Sequence, residues 1–97
     1  MLRIMPRKNN RPDARRDANE PEIVDHLEQH GYLVERIGNP GDLLVWNHDS
    51  RHWVCLEVKT AQGRMTPKQI IYRDKHPDVD IPTVRTKESA LLEVQTR

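Results

Sequence analysis

The 97-residue sequence predicts a mixed α/β fold, a small central sheet flanked by helices in the order α-β-β-β-α-β-α. Three observations predict it. Two short apolar runs, Leu43 to Trp46 and Trp53 to Val58, are bulky or β-branched and flank the polar turn Asn47-His48-Asp49-Ser50, the pattern of a hairpin of half-buried strands. Ile23, Val24 and Leu27 recur at helical spacing between a proline and a glycine. Thr66-Pro67 is a second helix start immediately after a glycine-containing loop.

Taken in order, Asn19 or Glu20 is expected to cap the first helix, with Pro21 in its first turn and Gly31 as its C-cap. Tyr32 to Ile37 alternates as a first strand, and Gly38-Asn39-Pro40-Gly41 is a turn cluster. The hairpin follows. Gln62-Gly63-Arg64 makes a loop, and the second helix runs from Thr66-Pro67 to about Lys75, where His76-Pro77-Asp78 breaks it. Ile81 to Val84 reads as a short edge strand because Pro82 cannot donate to a ladder. Thr86 caps a last helix expected to run through Leu92.

A chain of this length makes one domain with a modest core, filled by aliphatic side chains because there is no Phe and only two Trp and two Tyr. No run is long enough for a membrane helix, no apolar stretch follows the basic N-terminus, and the single cysteine, Cys55, has no internal disulfide partner; a cytoplasmic setting is expected. The net charge of +1 hides an asymmetry. Residues 1 to 17 carry six basic and two acidic side chains, the remainder ten basic and thirteen acidic. The reading is therefore a basic arm, residues 1–18, expected to be disordered alone and suited to phosphate contact, on a mildly acidic domain, residues 19–97.

Strand alternation puts Glu57 and Lys59 on one side of the second hairpin strand and Val54, Leu56 and Val58 on the other. By itself Glu57-Val58-Lys59 would read as an exposed ion pair worth a few tenths of a kcal/mol. Gly41-Asp42 at the head of the preceding strand changes that. Two carboxylates, with the Val58 carbonyl available as a further oxygen, can hold a hard divalent cation such as Mg²⁺. A lysine beside them can orient a water or stabilise charge on phosphorus. Gln69, early on the second helix, can hydrogen-bond the water, the lysine or a phosphate, and Tyr72 shares its face, to pack or to touch a ligand. His26 and His30 are four apart but lack the intervening motif of a metalloprotease. No Gly-rich phosphate loop, Gly-x-Ser-x-Gly or Cys/His dyad is present.

The stretches Gly-Asp-Leu-Leu-Val (41–45), Leu-Glu-Val-Lys (56–59), Gly-Arg-Met-Thr-Pro-Lys-Gln (63–69) and Thr-Val-Arg-Thr-Lys-Glu-Ser-Ala-Leu (83–91) resemble the VRR-NUC (virus-type replication-repair nuclease) domains of the PD-(D/E)XK nuclease superfamily, over about residues 19 to 95. The resemblance implies a restriction-endonuclease-like core in which Asp42, Glu57, Lys59 and Gln69 are catalytic. It makes Glu20 the extra acid of the first helix, with Glu22 the competing candidate. Asp42, Glu57, Val58 and Glu20 would then be the ligands of a Mg²⁺ or Mn²⁺ ion. The implied activity is metal-dependent hydrolysis of DNA phosphodiesters. For a small stand-alone domain of phage or bacterial type, it implies a homodimer acting on branched DNA such as four-way (Holliday) junctions. A flap or nicking nuclease without junction preference, and a non-catalytic DNA-binding subunit of a larger assembly, are the alternatives. Arg64 and Lys68 flank the site and are first choices for phosphate contacts, with Arg36, Arg73, Arg15 and Arg16 extending the basic surface. These domains usually have Pro directly before the Asp. Here Pro40 is one place earlier and Gly41 intervenes, so the local turn is expected to differ.

Overall fold

A computed structural model describes residues 17–97, so nearly all of the basic arm, Arg15 and Arg16 included, lies outside the described residues. All seven expected elements form in the expected order: α1 (Glu20–Gln29), β1 (Leu33–Arg36), β2 (Leu43–Asn47), β3 (His52–Val58), α2 (Pro67–Lys75), β4 (Thr83–Val84) and α3 (Lys87–Thr96). Two boundaries differ from expectation by two residues or more. β4 is only two residues long because Pro82 contributes a carbonyl, accepting from the Glu57 N–H at 2.9 Å, but has no N–H to return. α3 continues past Leu92 to Thr96, which lets Val94 join Ala90 in the core.

The four strands form one mixed sheet in the order β1-β2-β3-β4, antiparallel except for the parallel β3–β4 pair. Leu43 faces Leu56 and Val45 faces Val54 across the hairpin. With Val58 and Val84 these side chains form one face of the sheet, on which Ile23 and Leu27 of α1 and Ala90 and Val94 of α3 pack to complete the core. The other face is largely open. Leu44, Trp46 and Cys55 are half-buried there, and Leu33 and Trp53 are 49 % and 43 % exposed. Trp46 and Trp53 meet edge to face, ring centroids 5.4 Å apart. α2 meets this face at Glu57 and buries none of its own residues.

Three polar side chains tie the layers together. Asn47, expected in the turn, is instead the buried last residue of β2. Its Oδ1 accepts from the N–H groups of Asp49 and Ser50, holding the turn, while its Nδ2 donates to the Val94 carbonyl of α3 at 2.7 Å. Asn19 precedes α1 but makes no side-chain cap; its Nδ2 donates to the carbonyls of Lys59 (3.1 Å) and Arg85 (2.9 Å). Arg85 Nη1 donates to the carbonyls of Thr60 (2.6 Å) and Gly63 (2.8 Å). The start of α1, the ends of β3 and β4, and the loop leading to α2 are thus pinned at one corner of the sheet. Among the described residues no helix is long and apolar enough to cross a membrane.

Candidate functional site

That corner is where the acids gather. Glu57 and Lys59 leave β3 on the same side, as alternation requires, and Lys59 Nζ lies 3.7 Å from Glu57 Oε2. Both residues are buried, 2 % and 8 % exposed, which a solvated ion pair would not be. Asp42 stands beside them. Its N–H donates to the Leu56 carbonyl at 2.9 Å, and its Oδ2 accepts from the Val58 N–H at 2.8 Å. The carboxylate continues the β2–β3 ladder where the backbone of β2 has turned away, and this carries it to Glu57.

Gly41 makes the turn possible. A Cβ at this position would stand 2.9 Å from the Leu56 carbonyl oxygen and 2.8 Å from Cys55 Sγ, so the chain passes β3 too closely for any side chain. The unexpected glycine before Asp42 therefore has a steric cause.

Gln69 is held by the start of α2. Thr66 and Gln69 form a capping box: Thr66 Oγ1 accepts from the Gln69 N–H, and Gln69 Oε1 accepts from the Thr66 N–H at 2.8 Å. A backbone N–H can only donate, so the amide oxygen must face Thr66 and the amide nitrogen is turned towards the sheet. There Nε2 donates to Glu57 Oε2 at 2.8 Å. One short motif both starts the helix and grips the carboxylate.

The electrostatics follow. Burial is the main force pushing the Glu57 carboxyl up to about 7; the adjacent Asp42 adds to it by hydrogen bonding and by charge, and Lys59 and Arg73 oppose it. Burial first, then the charges of Glu57 and Asp42, also push up the Cys55 thiol, so Cys55 is no activated nucleophile. A carboxyl whose pKa is raised by burial and by a second acid is a group that a cation would relieve.

The chain matches no family model, no curated protein and no solved structure. Its site is defined by its own geometry.

Of the residues expected at the site, Asp42, Glu57, Lys59 and Gln69 come together, joined at Glu57 and at the Val58 peptide. Glu20 is buried in the first turn of α1, where Arg36 Nε lies 3.2 Å from its Oε2. Glu22 is on the surface, 3.5 Å from Lys87. Among the described residues no three His, Cys, Asp or Glu side chains are grouped as metal ligands. Two adjacent carboxylates still fit a hard cation that keeps several waters, as Mg²⁺ does. His26 and His30 pack ring against ring at 4.6 Å.

Beside Glu57 a cavity of about 230 Å³ opens between α2 and the Asn39–Pro40 turn, lined among others by Lys68, Gln69, Tyr72 and Arg73. Arg64 is exposed in the loop before α2. Arg73, expected among the basic residues that would contact DNA, is half-buried in the cavity wall. Its spacing of four residues from Gln69 is the signal the sequence offers, since such pairs share a helix face. Nothing local in the sequence marks Asn39 as a lining residue.

Proposed function

We propose that this chain is a divalent-cation-dependent DNA endonuclease with a PD-(D/E)XK-type core, hydrolysing phosphodiester bonds in the cytoplasm. The observation that carries this is the buried Asp42–Glu57 pair, with Lys59 and Gln69 both directed at Glu57 Oε2. Asp42 and Glu57 would hold the cation, Mg²⁺ or Mn²⁺. When bound, that cation supplies a water of lowered pKa and neutralises phosphate charge. The chain's own residues do the rest. Asp42 is locked to the Val58 N–H and so presents its other oxygen in a fixed place. Gln69 holds the rotamer of Glu57. Lys59, almost fully buried, brings a positive charge to the carboxylate edge and can orient an attacking water or stabilise the developing phosphorane. A pure DNA-binding module has no use for two buried carboxylates at a phosphate site, because they would repel the backbone. Their presence favours cleavage over binding alone.

The substrate class is tested with a labelled four-way junction, a flap and linear duplex, each in Mg²⁺, Mn²⁺ and EDTA. Symmetric, cation-dependent cuts in the junction are the expected result. Preferential cutting of the flap or nicking of duplex would favour the nuclease without junction preference. No cutting of any substrate by folded protein would leave a binding subunit that needs a partner.

A homodimer belongs to this proposal, with the open face of the sheet as the surface a second copy would cover. Leu33, Trp46 and Trp53 form an apolar row there, and large apolar patches on small domains commonly mark interfaces. Trp53→Arg is expected to convert a dimer at micromolar concentration into a monomer by sedimentation, and to replace paired cuts in the junction by single nicks. A wild-type protein that sediments as a monomer with and without DNA would rule the dimer out.

A further inference from the structure

We propose that Arg73 is the phosphate anchor of this site: its guanidinium, set into the wall of the cavity beside Glu57, takes a non-bridging oxygen of a nucleic-acid phosphate. The role deepens the proposed phosphodiester chemistry and rests on it. Arg73 Nη2 is buried and has no hydrogen-bond partner among the described residues. A buried guanidinium N–H left unsatisfied is costly, and such groups usually point to a ligand, an ion or an ordered water. Glu57, the one carboxyl lining the cavity, feels the charge of Arg73 but makes no hydrogen bond to its Nη2. Glu57 Oε2 is already engaged by Gln69 at 2.8 Å and by Lys59 at 3.7 Å.

The cavity itself suits an anion. Two cationic side chains, Lys68 and Arg73, and two amides, Asn39 and Gln69, line it against the single carboxyl of Glu57. Its volume, about 230 Å³, equals roughly eight waters at ~30 Å³ each, ample for one phosphate with part of its hydration. The planar fork of arginine matches phosphate oxygens better than a point charge does. Lys68, on the exposed side of the helix start, can guide the strand in, whereas Arg73 lies deeper and fixes the register. A phosphate held there rests against Glu57, the group on which the rest of the site converges.

Inorganic phosphate is the direct probe. Titrated at constant ionic strength and followed by NMR, it is expected to shift the Arg73 Nε–Hε signal and the amides of Gln69 and Tyr72 in a saturable way. Arg73→Gln should abolish saturation, and Arg73→Lys should retain it several-fold weaker. Binding of an oligonucleotide duplex in EDTA should lose about one unit of its log–log salt slope in Arg73→Gln. A purely structural arginine would leave that slope unchanged. No saturable shift in the wild type, equal phosphate affinity in Arg73→Gln, or an unchanged salt slope would each overturn the proposal. Should Arg73→Gln not fold, the wild-type titration and Arg73→Lys decide alone. Phosphate binding without cleavage of any DNA would sink the nuclease and keep the anion site; cleavage without phosphate binding would do the reverse.

Discussion

Glu57→Gln is expected to make the metal-free protein more stable and at the same time to remove its activity. The carboxyl of Glu57 sits at about 7 against an ordinary value of 4.5, raised by burial and by Asp42. The folded state therefore retains a proton that the unfolded chain releases between those values. Stability of the metal-free protein should fall as pH rises from about 4.5 to 7 and stay low above it, by about 1–3 kcal/mol in all. The amide introduced by Glu57→Gln would keep an oxygen that accepts from Gln69 and carry no charge to desolvate. The variant should lose this pH slope and exceed the wild type in stability at pH 8, by urea unfolding in EDTA. Added Mg²⁺ should affect the two proteins differently. It should raise the melting temperature of the wild type, more at pH 8 than at pH 5.5 because the cation and the proton compete for Glu57, and barely move the variant. Cleavage should drop by about 10²–10⁴-fold. A variant less stable than the wild type at pH 8 would mean that Glu57 is a structural carboxylate and not a desolvated ligand.

Gly41→Ala is the second large effect. The added methyl would stand 2.9 Å from a backbone carbonyl and 2.8 Å from Cys55 Sγ. The sulfur can turn away; the carbonyl cannot without moving β3. Overpacking of this kind costs about 1–3 kcal/mol. The strand must move away from β3, and Asp42 then loses its 2.8 Å grip on the Val58 N–H. Displacement of a reacting group by about 1 Å can cost 10²-fold in rate, so activity should fall even where the variant remains folded. Gly38, whose Cβ would meet nothing within 4 Å, is the control: Gly38→Ala should be close to neutral in unfolding and in cleavage. Equal behaviour of the two alanine variants would show that close approach is not what Gly41 provides.

The element order is readable from periodicity because each segment carries its own punctuation: Pro21 and Gly31 around α1, the polar turn between β2 and β3, Thr66-Pro67 before α2. The pairing of Glu57 with Lys59 is readable for the same reason, since alternation in a strand is local. What cannot be read depends on partners distant in sequence. Asn47 looks like a turn residue until Val94, 47 residues on, accepts its hydrogen bond. Asn19 looks like a helix cap, but its amide is drawn to the ends of β3 and β4. The ion pair of Glu20 with Arg36, sixteen residues on, is likewise visible only in the fold. The four-residue spacing from Gln69 puts Arg73 on the site face, but its depth is not readable, because α2 buries none of its residues and has no apolar stripe to mark an inward direction.

The most direct test is single-turnover cleavage of a labelled four-way junction in Mg²⁺ by the wild type beside Lys59→Ala, at protein concentrations where both bind the DNA fully. Lys59 lies 3.7 Å from Glu57 with little exposure. Its removal should lower the cleavage rate by about 10²–10³-fold while leaving DNA occupancy and the fold intact. Equal rates from the two proteins, or no cation-dependent cutting by either, would contradict a hydrolytic centre built on Asp42, Glu57 and Lys59.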